Sequence, residues 1–329
     1  MKLTLTPGKL AGLKALSDSR GVIAAAAMDQ RGSLQKSLSK ERGAPVEAAG
    51  LEEFKVLVTE VLTKHASAIL LDPEFGLPAA KQRNGKGLLL AYEKTGYDAA
   101  TPGRLPDLLD VWSVQRLKEA GADAVKILLY YTPEDKMEVN EIKHAWIERI
   151  GAECAGLDIA FFAEFICYDH TGGDEKTVAF AKKKPLLVSG TMAEFSKAKY
   201  RVDVLKLEVP VNMEFVSGTK SFKGQEAYTR AEALQHFRDS ADMTHLPFIY
   251  LSAGVSNPTF IETLELANES GTTYNGVLCG RATWKDGMAI YAKQGAAAFR
   301  AWLETTGVEN INNVNAALKG AHSWHSKIG

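Results

Sequence analysis

Eight short apolar runs recur along the chain, and most are followed by a stretch with helical periodicity. The runs cover residues 22–28, 66–71, 88–92, 123–129, 159–166, 202–210, 247–252 and 274–279. Near-continuous apolar strands of this kind belong to a parallel sheet that is covered on both faces. Amphipathic stretches lie between them, at 51–62, 111–120 (closed by Gly121), 138–154, 175–199, 226–240 and 258–268. A final pair follows at 285–294 and 295–304. Strands alternating with helices, without a break in composition, predict an α/β protein of the (β/α)8 TIM-barrel type. The expected organisation is a single domain over residues 1–329, with a short N-terminal helix and closing C-terminal helices. A doubly wound open sheet is the alternative. It calls for a glycine-rich turn after the first strand, and Asp29-Gln30-Arg31-Gly32-Ser33 is not one.

Charge and composition narrow the function classes. The formal net charge is -1, which argues against nucleic acid or an anionic membrane surface as the main partner. No apolar run is long enough to span a bilayer. The N-terminal residues lack the apolar core of a signal peptide. Cys154, Cys167 and Cys279 are odd in number and unpaired in spacing, so they read as free thiols in a reducing compartment. A cytoplasmic location is the expectation.

In a barrel, reactive side chains gather at the C-terminal ends of the strands. Lys206 lies in Val202-Asp203-Val204-Leu205-Lys206-Leu207-Glu208-Val209-Pro210. Alternation puts Val202, Val204 and Lys206 on one face. An ammonium there must be paired, stripped of its proton, or used. A desolvated lysine amine is the nucleophile that forms Schiff bases with carbonyl substrates. Taken alone, the same residue could be a strand-end lysine reaching for water. The neighbouring strands change that balance. Lys126 lies in the fourth run, Glu164 in the fifth, and Asp29 ends the first. Any one could be a structural ion pair. Inward charges on three adjacent strands are harder to explain by packing.

The grouping suggests a division of labour. Lys126 beside Lys206 would disfavour a second positive charge and leave the Lys206 amine able to attack. Glu164 could move protons, and Asp29 could hold a substrate hydroxyl or stabilise the iminium. Glu208 reads as a rim ion pair and Asp72 as a structural turn. The turns at Ser252-Ala253-Gly254 and Gly280-Arg281 follow the seventh and eighth runs. Barrels often bind phosphate there, through backbone N–H groups and a helix N-terminus, and Arg281 adds a bidentate donor. The histidines, His65, His144, His170, His236, His245, His322 and His325, form no compact ligand motif, so neither metal nor cofactor is expected. His322 and His325 read as a surface tail, and Lys182-Lys183-Lys184 as a solvated helix end.

Several blocks carry a resemblance. They are Met28-Asp29-Gln30-Arg31-Gly32, Leu70-Leu71-Asp72-Pro73-Glu74, Leu88 through Asp98, Asp203-Val204-Leu205-Lys206 through Met213, Tyr250 through Ser256, and Gly276 through Trp284. In this order they resemble the class I tagatose-1,6-bisphosphate aldolases, over nearly the whole chain. The resemblance implies a Schiff-base aldolase without metal, with Lys206 as the imine lysine and Glu164 as the proton-transfer residue. Asp29 and Lys126 stand beside them. Gln30, Ser252, Gly254, Gly280 and Arg281 match positions near substrate oxygens and phosphate. A sugar bisphosphate, tagatose or fructose 1,6-bisphosphate, is the implied substrate. An aldolase for a sulfofructose phosphate and a non-catalytic sugar-phosphate sensor are the alternatives. A homo-oligomer is the expected assembly. The segments 170–174 and 218–224 look atypical and are expected near the mouth, where sugar preference is set.

Overall fold

The structure is a computed structural model that describes residues 2–94 and 101–329. Part of the resembling block that ends at Asp98 therefore lies outside the described residues. Eight parallel strands close into a barrel in chain order: β1 Ile23–Met28, β2 Ala68–Leu71, β3 Gly87–Ala91, β4 Ala124–Tyr130, β5 Ala160–Ile166, β6 Val204–Leu207, β7 Phe248–Leu251 and β8 Gly276–Cys279. β1 pairs with both β2 and β8, so no edge is left open. Closure excludes the doubly wound alternative.

Helices sheathe the barrel: α1 Pro7–Leu16, α2 Gly32–Arg42, α3 Ala48–Leu62, α4 Leu77–Ala80, α5 Val114–Glu119, α6 Met137–Gly156, α7 Val178–Phe195, α8 Arg230–Asp242, α9 Asn257–Ser270, α10 Arg281–Trp284, α11 Met288–Trp302 and α12 Val308–Ala317. Several start later than periodicity predicts, because a capping side chain sets the first turn. The Ser113 hydroxyl accepts from the Arg116 amide, Thr177 from Phe180, and Thr229 forms a capping box with Glu232. The break expected before residue 295 is real: Gly295 has φ 84° inside α11. No described helix is long and apolar enough to cross a membrane.

Two apolar layers follow from strand alternation. Outward residues such as Leu205 and Leu207 pack under the helices. Inward residues, including Ala25, Ala68, Leu89, Phe162, Val204 and Ile249, fill the barrel. Leu13 and Leu16 of α1 and Trp324 belong to the same inner layer and plug its lower end. Two expectations need correction. Val202 precedes β6 and packs in the outer layer, so only Val204 and Lys206 share the inward face. Lys184 is not solvated: it sits within α7 and its Nζ lies 3.1 Å from Glu208 Oε1. Around the exposed His322 and His325, the terminal segment is held down by Trp324, whose indole donates to the Ser17 hydroxyl.

Candidate active site

Period two carries one charge from each of five strands into a single layer above the apolar filling. On β1, Ala25 and Ala27 face inward and the next inward position is Asp29. On β3, Leu89 and Ala91 lead to Glu93; on β4, Ala124 leads to Lys126. Ala160 and Phe162 lead to Glu164 on β5, and Val204 to Lys206 on β6. Register then sets Glu164 directly beside Lys206, and Ala91 beside Lys126.

The side chains converge. Lys126 Nζ lies 2.8 Å from Asp29 Oδ2, 2.9 Å from Glu93 Oε1 and 2.7 Å from Glu164 Oε2. The same Glu164 oxygen is 2.9 Å from Lys206 Nζ. Three carboxylates and two ammonium groups thus share one buried layer, where removing each ion from water costs several kcal/mol. A fold that needed only stability would fill these positions with apolar groups.

Protonation differs across the cluster. Burial alone would raise the Asp29 carboxyl, but Lys126 and then Lys206 outweigh it and hold Asp29 well below the ordinary carboxylate range. Burial dominates at Glu93, and Lys126 and Arg31 offset it only partly, so its carboxyl is pushed up. Burial would strip Lys126 of its proton, yet Asp29, Glu164 and Glu93 raise it well above a free lysine. Neighbouring acids driven apart in this way are suited to opposite proton roles.

Above the layer opens a cavity of about 540 Å³, within the usual range for small-molecule sites. Its walls include Asp29, Gln30, Glu164, Lys206, Ser252, Gly254, Gly280 and Arg281, all expected from sequence. Lys126 is the exception. It is completely buried and lies beneath the wall rather than in it. Its relation to Lys206 is also not that of two bare cations, because the Glu164 carboxylate stands between them.

On the β7–β8 side, Gly254 has φ 75°, and a Cβ there would stand 2.8 Å from the Arg281 guanidinium carbon. Glycine at this position lets the guanidinium lie against the backbone. Lys285 Nζ donates to the Gly254 carbonyl at 3.0 Å, and the Trp284 indole donates to Ala27 O at 3.0 Å, tying this loop to β1. The helix after β8, α10, has four residues, too few for an appreciable dipole. Backbone N–H groups and Arg281 are the donors here. Residues 170–174 and 218–224 are not part of the cavity wall. The second loop is drawn aside by Glu262, whose carboxylate accepts from the Lys220 and Ser221 amides.

The family model described as "DeoC/LacD family aldolase" matches residues 23–286. The chain belongs to the DeoC/LacD family of aldolases. It is 54% identical over 327 residues to a tagatose 1,6-diphosphate aldolase of Listeria monocytogenes, covering 99% of this chain and 96% of that one. The identity is also 54% to tagatose 1,6-diphosphate aldolase 2 of Enterococcus faecalis, covering 99% and 98%. With the Staphylococcus haemolyticus tagatose 1,6-diphosphate aldolase it is 53%, covering 99% and 100%. A solved structure of fructose-bisphosphate aldolase from Plasmodium falciparum superposes with a TM-score of 0.70 at 12% identity, over 98% of both chains. That likeness shows the shared fold. The protein is therefore an aldolase, a carbon–carbon lyase.

Three residues of this aldolase's site escaped the sequence reading. Glu93 is one; its signal was available, since it continues the inward register of Leu89 and Ala91 just as Asp29 continues that of Ala27. Arg31, 2% exposed, donates through Nη2 to Glu93 O at 2.6 Å and pairs through Nη1 with Glu74 at 2.7 Å. Lys55 is fully buried. Its Nζ donates to Met28 O at 2.6 Å and Gln30 O at 2.8 Å, and lies 2.6 Å from Asp72 Oδ2. It thereby clamps the backbone on both sides of Asp29. Asp72 in turn accepts from the Glu74 and Phe75 amides, which fits the structural turn expected of it. Glu208 likewise behaves as an ion pair, with Lys184. Among the described residues, no group of three or more His, Cys, Asp or Glu side chains is arranged to hold a metal ion.

Proposed function

We propose that this aldolase reversibly cleaves D-tagatose 1,6-bisphosphate, and also fructose 1,6-bisphosphate, through a Schiff base on Lys206. The products are dihydroxyacetone phosphate and D-glyceraldehyde 3-phosphate. The observation that carries the reading is the Lys206 amine: buried, opening on the cavity, and 2.9 Å from the Glu164 carboxylate. The names of the relatives support the sugar.

The neutral Lys206 amine attacks the C2 ketone, and the carbinolamine loses water to give an iminium. Glu164 takes the C4 hydroxyl proton as the C3–C4 bond breaks. The bond's electrons pass into the iminium, giving an enamine, and glyceraldehyde 3-phosphate leaves. Protonation at C3 regenerates the iminium, and water releases dihydroxyacetone phosphate and the free lysine. Asp29, ionised and adjacent, stabilises the cationic iminium. Lys126, beneath the wall, orients the carboxylates without touching substrate. Gln30, Ser252, Gly254, Gly280 and Arg281 bind substrate oxygens and one phosphate.

Borohydride reduction with dihydroxyacetone phosphate, followed by peptide mass spectrometry, tests the mechanism. An adduct on Lys206 is expected, and Lys206→Ala should abolish both adduct and turnover with the fold kept. Absence of an adduct, with cleavage lost in chelator, would sink the reading. A panel of ketose phosphates, sulfofructose phosphate included, tests the substrate, and binding without cleavage of any member would point to a sensor.

A further inference from the structure

Glu93 is used by nothing in the mechanism above, yet it stands in the cavity wall. It is 4% exposed, and its Oε1 is committed to Lys126 at 2.9 Å. Its Oε2 is buried and has no hydrogen-bond partner among the described residues. Its main chain is pinned, because Arg31 donates to the Glu93 carbonyl at 2.6 Å. A buried carboxylate oxygen left unsatisfied is costly, and such an orphan in a ligand cavity calls for a donor that the ligand brings.

Position in the barrel says which part of the ligand. Lys206 is on β6 and the Ser252, Gly254 and Arg281 loops follow β7 and β8. Glu93 follows β3, across the mouth from them in the closed strand order. A ketose whose C2 is bonded to Lys206 and whose near phosphate lies at the β7–β8 loops must run its remaining carbons toward the β1–β3 side. There Ser33 and Lys36 continue the wall beyond Glu93. On the proposed Schiff-base reading, on which this step rests, we infer that the Glu93 carboxyl hydrogen-bonds a hydroxyl on the aldehyde-derived half of the sugar, C4 to C6. Glu93 is then a specificity residue for the distal half. The proximal triose, bonded at Lys206, does not reach it.

The test compares the two halves. Glu93→Gln is read by borohydride trapping with dihydroxyacetone phosphate, and by kcat/KM for tagatose 1,6-bisphosphate cleavage. Trapping is expected to stay within about threefold of wild type while kcat/KM falls about 100-fold, the size of effect seen when a site loses its partner for a substrate hydroxyl. Glu93→Asp keeps the charge that Lys126 needs but withdraws the carboxylate. It should show the same split, and it stands in if the Gln variant fails to fold. Parallel loss of trapping and cleavage would mean that Glu93 only supports Lys126, and overturns the inference. Unchanged cleavage overturns it too. A wild-type chain that cleaves but cannot be trapped removes the Schiff-base reading itself, and this inference with it.

Discussion

Glu164 Oε2 lies 2.7 Å from Lys126 Nζ and 2.9 Å from Lys206 Nζ, so a single carboxylate oxygen is shared by two buried ammonium groups. The contact to Lys126 fixes the side chain, and the contact to Lys206 points it at the reacting amine. Glu164→Gln keeps the shape and removes the charge. A positioned acid–base group contributes roughly 100- to 10,000-fold, so kcat is expected to fall within that range. Unfolding by urea, followed by circular dichroism, should still show one cooperative transition. A variant with kcat within about threefold of wild type would take Glu164 out of proton transfer.

How far this site could be read from sequence depends on which rule each residue obeys. Lys126, Glu164 and Lys206 interrupt apolar runs, and a charge inside such a run is conspicuous. Glu93 stands between Tyr92 and Lys94, just past the end of β3. There a charge looks like ordinary surface polarity unless the inward register is counted forward from Leu89. Lys55 is hidden differently. It lies on the same α3 stripe as Leu51, Phe54, Val58 and Leu62, all buried, where a lysine breaks the amphipathic pattern. That break was the available signal. What no local pattern carries is the choice of partner, Asp72 and the carbonyls of Met28 and Gln30, because strand packing decides it.

Glu93 and Asp29 should leave opposite marks on the pH dependence of stability. The Glu93 carboxyl lies above its usual 4.5 in the folded chain. The folded state therefore binds that proton more tightly than the unfolded state. Its contribution is full below pH 4.5 and is lost as pH rises through the raised folded value. Asp29, held below its usual 3.8, contributes fully above that pH and loses its contribution only as pH falls through the lowered value. Glu93→Gln does not titrate. Relative to wild type, its unfolding free energy is expected to rise as the pH is taken from about 4 toward neutrality. Urea denaturation at a series of pH values measures this, and parallel curves for the two proteins would contradict it.

Lys55 is expected to matter for both stability and the pose of Asp29. Lys55→Met leaves Asp72 buried without its cation, and removing one partner of a buried pair costs about 3–5 kcal/mol. The double variant Lys55→Met with Asp72→Leu should recover part of that loss, since no charge is left stranded. Activity should not recover with it. The carbonyls of Met28 and Gln30 remain without their donor, and Asp29 between them is free to drift from Lys126. Recovery of kcat along with the urea midpoint would show that Lys55 acts on the fold alone.

Gly254 and Arg281 form the last pair whose relation can be tested in isolation. At φ 75° a side chain is strained, and a Cβ would stand 2.8 Å from the guanidinium carbon. Gly254→Ala is expected to cost roughly 1 kcal/mol or more from backbone conformation. Displacing Arg281 should weaken its grip on an anionic oxygen as well. Arg281→Lys keeps the charge and loses the planar fork. For both variants KM should rise about tenfold or more, while kcat, set at the Glu164–Lys206 contact, changes less. Inorganic phosphate should inhibit both variants more weakly than wild type. Equal inhibition of all three proteins would move the phosphate contact away from the β7–β8 loops.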